Sequence, residues 1–242
     1  MTQQHLTYRP LPGTRLNMAH PLAEGLVLCM NFNEQGSRAM DLSPSGAHGR
    51  LSGFGSPAKR HIQGLDFVSA NPSYVEIPAA FTQLDFTSED FSLIMRQKFD
   101  SLKNNDVLFI RGFWLTDGWY INIDAAGTVW FNSFQFGFFQ RTYTAVGAVA
   151  TDTWYTLGFS RSGTSVRIYR NAVDVSDTIG VHQNFDTCAR SAKIGIYDNL
   201  AQDKLDGKME FLRVFRGIAL TEAQHKAIHE QPNAPYGYPL FI

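Results

Sequence analysis

The stretch that decides the fold is FSLIMRQKF (91–99), DVLFIRG (106–112), GWYINID (118–124), GTVWFNS (127–133), WYTLGFSRSG (154–163) and SVRIYRNA (165–172). Apolar and polar residues alternate through these segments, with Gly, Asn or Asp between them and little helical periodicity. Period-two alternation places one face of each segment in a core and the other in water, the pattern of antiparallel sandwich strands. Tight turns are expected at Thr116-Asp117-Gly118, Ala126-Gly127, Ser162-Gly163 and Arg170-Asn171-Ala172, where Gly and Asn tolerate positive φ.

Outward from this meander, GLVLCMNF (25–32) reads as an apolar strand, and Gly49-Arg50-Leu51, Gly64–Phe67 and Tyr74–Pro78 as short ones. Two later strands are expected over Ala192–Tyr197 and Met209–Arg216, the second with a phase change near Leu212 that marks a bulge. One helix is expected over Thr221–Glu230, because Thr221 and Gln224 form a capping box and Pro232 stops it. Residues 1–23 read as an extended arm, 24–231 as the domain and 232–242 as a proline-broken aromatic tail.

A chain of 242 residues fits one all-β domain. With 21 basic against 22 acidic residues, it has no electrostatic footprint for nucleic acid. No apolar run approaches the ~18 residues of a membrane span, and the N-terminus lacks a signal-peptide pattern, so no membrane insertion is expected. Cys29 and Cys188 fall in no metal or redox spacing and are expected to be buried thiols.

Three segments in order resemble the laminin-G-like family of concanavalin A-type jelly rolls. They are HPLAEGLVL (20–28) ahead of DLSPSGAHG (41–49), then Asp90-Phe-Ser-Leu with WYTL (154–157) and IYRN (168–171), and finally LDGKMEFLRVFRGIALT (205–221). Pro44 stands where the family often has Gly. The fold implied is an all-β, antiparallel jelly-roll sandwich with one short C-terminal helix and extended arms at both ends. HPLAEGLV (20–27) most closely resembles versions of this domain in tailed-phage and prophage structural proteins. The resemblance further implies one structural Ca²⁺, with Asp206 as its main carboxylate and Asp41 and Asn33 as further candidates. On the residues alone, Asp206 starts a turn with Gly207 and Asp41 caps its loop through Asx bonding.

Sugar binding calls for aromatic platforms beside planar polar groups, and Trp114, Asp117 and Trp119 are the candidates. In FQFGFFQR (134–141), consecutive Phe138 and Phe139 cannot both face one core, so Phe136, Phe138 and Phe139, with Tyr236 and Tyr238 of the tail, are expected at an interface. No strand carries the Glu-x-Asp-x-x-Glu pattern of glycosidases built on this fold, and Lys226 stands between His225 and His229 where a zinc helix has its Glu. These two histidines are expected on a solvated helix face.

The function expected is a non-catalytic virion structural or attachment protein of a tailed phage, such as a capsid decoration, head fibre or tail-associated subunit. It would assemble in the host cytoplasm, contacting other virion proteins or copies of itself, with cell-surface glycan as a further expected partner. The alternative is a freestanding calcium-dependent carbohydrate-binding module.

Overall fold

The computed structural model describes residues 15–33, 36–54, 64–135 and 137–234, together with the backbone of 60–61. Its strands are β1 (Leu26–Met30), β2 (Arg38–Ala39), β3 (Gly49–Ser52), β4 (Arg60–His61), β5 (Gly64–Phe67) and β6 (Tyr74–Ile77). The meander supplies β7 (Phe91–Phe99), β8 (Asp106–Phe113), β9 (Asp117–Ile123), β10 (Val129–Gln135), β11 (Phe138–Thr144), β12 (Trp154–Ser162) and β13 (Ser165–Arg170). After β14 (Val173–Asp174), β15 (Ser176–Thr178), β16 (Ala192–Ile194) and β17 (Gly207–Arg216) comes helix α1 (Glu222–Glu230).

These strands form two antiparallel sheets. One runs β14-β13-β12-β7-β17-β5-β4, with β1 also paired to β17, and the other runs β15-β11-β10-β9-β8-β16-β6-β3-β2. The inward-facing residues of the alternation meet between them. Phe91, Leu93 and Met95 of β7, Phe159 of β12 and Val214 of β17 pack with Phe109, Trp119, Ile121 and Phe131 of the opposite sheet. Burying an aliphatic or aromatic side chain of this size contributes about 1.5–3 kcal/mol, so the face that alternation selects is also the one that holds the sandwich together.

The jelly-roll expectation holds, with corrections of detail. The bulge in β17 lies between Met209 and Phe211, ahead of Leu212, and it lets Glu210 turn to Arg96, 2.6 Å away. Helix α1 is capped as expected, with the Thr221 hydroxyl accepting from the Gln224 N–H and the Gln224 side chain accepting from the Thr221 N–H. Its histidines, however, face the sheet. His225 is buried, stacks on Tyr169 with ring centroids 4.0 Å apart and bonds Ser160 Oγ through Nε2, while His229 Nδ1 bonds Thr156 Oγ1. Gly158 makes room for this ring, because a Cβ there would lie 2.4 Å from His225 Nδ1.

The packed domain also begins earlier than residue 24. Pro21–Ala23 form a 3-10 turn whose Leu22 and Ala23 are buried, and Leu22 packs with Leu26, Phe215 and Ile228 under α1. Cys29 and Cys188 are free, buried thiols, and burial pushes Cys188 up to about 12. No helix among the described residues is long and apolar enough to cross a membrane.

Candidate functional site

The outward side chains of the second sheet form an ordered polar and aromatic array. In β9, Trp119, Ile121 and Ile123 point into the core, so Tyr120 and Asn122 point out. In β10, Val129 and Phe131 point in, so Trp130, Asn132 and Phe134 point out. The register then lines up residues from three strands. Tyr120, Asn132 and Arg141 are direct partners in one row, and Asn122, Trp130 and Tyr143 in the next.

The rows are tied by hydrogen bonds that fix the side-chain orientations. Arg141 Nε donates to Asn132 Oδ1 at 2.9 Å, Asn132 Nδ2 to Asn122 Oδ1 at 2.8 Å, and Asn122 Nδ2 to Asn105 Oδ1 at 3.4 Å. The chain therefore has a direction, running from the guanidinium toward the β7–β8 loop. Two cavities lie over it, of about 180 and 290 Å³, and they share Asn105, Tyr120 and Arg141. The first adds Asn104, Asp124 and Trp130 to its wall, and the second adds Trp114, Tyr197 and Asp203. Together they make a groove of amides, phenols and indoles on a rigid sheet, and Asn105 and Asp203 hold left-handed backbone at its rim, with φ of 65° and 54°.

The electrostatics of the groove follow from its partial burial. Arg141 lies over three rings, 5.0 Å from the centroid of Trp114, 5.3 Å from that of Trp130 and 4.4 Å from that of Phe139. Burial pushes the Tyr120 phenol well above its ordinary range, with the nearby guanidinium working the other way, so it is a neutral hydroxyl at physiological pH. The Asp203 carboxyl is raised by burial, against a hydrogen bond from Gln202. Asp124 serves the fold, with Oδ1 accepting from the Ala126 and Thr128 N–H groups and Oδ2 from Trp130 Nε1.

The residues singled out from sequence have different fates. Trp114 lies on the groove, its ring stacked on Phe139 and its backbone N–H donating to Tyr197 Oη at 2.8 Å. Trp119 is fully buried among Phe86, Phe109 and Phe131 and donates Nε1 to the Leu84 carbonyl, so it is a core residue that no ligand reaches. Asp117 pairs with Arg190 and lines neither cavity.

Two of the expected calcium ligands, Asp41 and Asp206, are engaged by different protein donors. Asp41 is buried, and its oxygens accept from the N–H groups of Cys29, Ser43 and Ala47 and from Ser43 Oγ, as an Asx cap does. Asp206 accepts from Ser101 Oγ and the Ser69 N–H, with Lys103 Nζ at 3.8 Å, and shares no partner with Asp41. Asn33 is half-buried just after β1. Among the described residues no three His, Cys, Asp or Glu side chains converge to hold a metal ion.

Of the expected interface residues, Phe138 is 75% and Phe139 48% exposed at the β10–β11 turn. Phe136, Tyr236 and Tyr238 lie outside the described residues. The reading of the sequence missed Asn105, Tyr120, Asn122, Trp130, Asn132 and Arg141. The signal for four of them was present, since Tyr120, Asn122, Trp130 and Asn132 occupy the polar phase of GWYINID and GTVWFNS.

A two-sheet sandwich with a polar, aromatic-lined outer face is the architecture of a lectin-like domain. Residues 69–224 match the laminin G family described as the concanavalin A-like lectin/glucanases superfamily, and the chain belongs to that family. No curated protein matches the chain. Among solved structures it is similar to the binding domain of botulinum neurotoxin DC in complex with rat synaptotagmin II, with a TM-score of 0.65 and 14% identity over 87% of this chain and 52% of that one. It is similar to the ligand-binding domain of botulinum neurotoxin serotype D in complex with N-acetylneuraminic acid, with a TM-score of 0.62 and 10% identity over 86% and 51%. It is also similar to the Trypanosoma rangeli sialidase in complex with sialic acid, with a TM-score of 0.63 and 12% identity over 86% and 33%. At these identities the likeness shows the fold. The chain spans about half of each neurotoxin chain and a third of the sialidase chain.

Proposed function

We propose that this chain is a non-catalytic glycan-binding module that uses the outer face of β9, β10 and β11. The observation that carries the reading is the directed chain from Arg141 through Asn132 and Asn122 to Asn105, set beside Trp114 and Trp130. Asn122 and Asn132 are themselves buried, so they act by fixing the groups at the groove surface, where Asn105 and Arg141 suit sugar hydroxyls and the indoles suit the apolar faces of pyranose rings. The ligands of two solved relatives, N-acetylneuraminic acid and sialic acid, are consistent with such a role for this fold. Glycoside hydrolysis needs two available carboxyl groups. Asp124 is committed to three protein donors, which leaves Asp203 as the single available one in the groove wall.

The test is a glycan array followed by calorimetry on the full chain. Binding that Trp130→Ala or Asn132→Ala abolishes while the fold persists supports the reading, and no binding to any glycan overturns it.

A second reading adds a setting, in which the module is a structural or attachment subunit of a phage particle. The exposed Phe138, beside a half-exposed Phe139, favours it, because an apolar ring projecting at a sheet tip suits contact with another protein surface. Weak sugar binding would gain strength there from many copies. Solution mass and co-purification with particle proteins test this setting separately from sugar binding.

A further inference from the structure

We propose that the groove selects glycans that carry a carboxylate, with Arg141 as the group that reads it. This rests on the glycan-binding reading above and names its ligand class. Several other arginines are held by carboxylates or backbone carbonyls. Arg96 pairs with Glu210, Arg190 with Asp117 and Asp198, and Arg216 with Glu89. Arg111 and Arg161 donate to backbone carbonyls. Arg141 has neither kind of partner among the described residues. Its Nε is engaged by the Asn132 amide oxygen, its side chain also hydrogen-bonds the Tyr120 phenol, a neutral partner, and the faces of Trp114, Trp130 and Phe139 lie 4.4–5.3 Å from the guanidinium carbon.

Ring faces stabilise a cation without neutralising it, so the charge is still present on the wall that the two cavities share. A guanidinium fork matches a carboxylate with two parallel N–H···O bonds. Partial exclusion of water by the rings strengthens that attraction relative to an exposed arginine. The Nε bond to Asn132 and the three ring contacts hold the fork in place, so little side-chain entropy remains to be lost on binding. Asp203 on the second cavity sets the orientation. Its carboxyl accepts from sugar hydroxyls, and its charge directs a ligand carboxylate away from that wall and toward Arg141.

The experiment measures binding of the full chain to oligogalacturonate and to its methyl ester, which differ in carboxylate charge, and to sialyllactose against lactose. The expected result is at least about tenfold tighter binding of the acid in one of the two pairs, the scale of one desolvated charge-assisted contact. Arg141→Gln should remove that preference, so that acid and neutral partner bind the variant within about twofold of each other whatever their common affinity, and Arg141→Lys should retain part of it. Quenching of Trp130 fluorescence by the acid and its loss in Trp130→Phe place the event at the groove, and thermal melts of both arginine variants establish that they are folded. Equal binding of acid and neutral forms, or a preference that survives Arg141→Gln in the folded variant, overturns the carboxylate inference while glycan binding stands. A preference for sulfated over both carboxylated and neutral sugars also overturns it. No binding of any sugar overturns both readings.

Discussion

Asn132 and Arg141 are direct register partners on β10 and β11, and the Arg141 Nε–H donates to the Asn132 Oδ1 at 2.9 Å. The pairing fixes the guanidinium from one side. Because the Asn132 side chain also donates to Asn122, it sets the amide orientation of the next strand as well.

Asn132→Leu should therefore destabilise the protein although it adds apolar volume. Asn132 is buried, and its loss leaves the Asn122 carbonyl and Arg141 Nε without their partner. Each orphaned buried polar group costs about 1–3 kcal/mol, more for a charged one. Urea denaturation should show a loss of at least about 2 kcal/mol on that scale, and a change under about 0.5 kcal/mol, the usual size of a neutral surface substitution, would mean the chain does not hold together as described.

The sheet face that carries this chain was half legible in the sequence. Alternation alone puts Tyr120 in phase with Asn122, and Trp130 with Asn132, on the polar side of their strands. The same parity places Trp119 in phase with Ile121 and Ile123, so its burial was readable and its proximity to Asp117 misleading. Register was not readable. Nothing local states that Asn132 lies opposite both Tyr120 and Arg141, because that alignment is set by hairpin turns and packing across three strands. The loop positions Asn105 and Asp203 join the groove through tertiary folding and leave no periodic trace. Helix α1 was legible through its cap, while the inward turn of His225 depends on a vacancy at Gly158 of β12, far back in the chain.

Gly158→Ala follows from that vacancy. The added methyl would meet the imidazole of His225, which is held by Tyr169 and Ser160. Overpacking of this kind costs about 1–3 kcal/mol. The double variant Gly158→Ala/His225→Ala should be less destabilised than the sum of the two single variants, and strict additivity in thermal or urea melts would show that the two positions do not press on each other.

Stability should fall in mild acid through two buried histidines. Burial depresses His182 to about 3, with Arg161 adding to the effect, and His225 to about 4, both from 6.5. Below pH 6.5 the unfolded chain takes up two protons that the folded one refuses. The stabilisation is thus complete above that pH and is lost as pH falls toward about 4, at up to ~1.4 kcal/mol per pH unit for each group. Asp106 opposes this, since burial raises it from 3.8 to about 6 and its contribution is lost as pH rises through that range. Asp203, raised by burial, acts in the same direction as Asp106, whereas Glu89 and Asp100, both lowered, act with the histidines, so the histidine contribution is read from a histidine variant. Folded His225→Gln should show a pH slope between about 6 and 4 that is shallower by up to ~1.4 kcal/mol per unit; an unchanged slope would remove His225 from this account.

Asp41→Ala should be among the most damaging single changes. Its carboxylate satisfies three backbone N–H groups and one hydroxyl, and it stitches the 41–47 turn to Cys29 of β1. At about 1–3 kcal/mol per orphaned buried group, the loss is a large share of a typical domain's stability. Since these donors fill the carboxylate, calcium at about 1 mM, where extracellular calcium modules bind, should leave the melting temperature of the wild type where EDTA leaves it. A rise of several degrees with calcium would show that the ion is held by another donor set.

Phe138 and Phe139 should separate cleanly from each other. Phe139 stacks on Trp114 and lies under the Arg141 guanidinium, whereas Phe138, opposite Gln135 at the hairpin end, is three-quarters exposed. Phe139→Ser should cost about 1 kcal/mol of stability through the lost ring pair and weaken any sugar binding, because Arg141 loses one of its three faces. Phe138→Ser should leave stability within about 0.5 kcal/mol, since that ring is three-quarters exposed. If Phe138 instead contacts another chain, Phe138→Ser will lower the solution mass or abolish co-purification while leaving sugar binding intact. A mass and binding profile identical to wild type would remove Phe138 from any interface and leave the sheet face beside it as the functional surface.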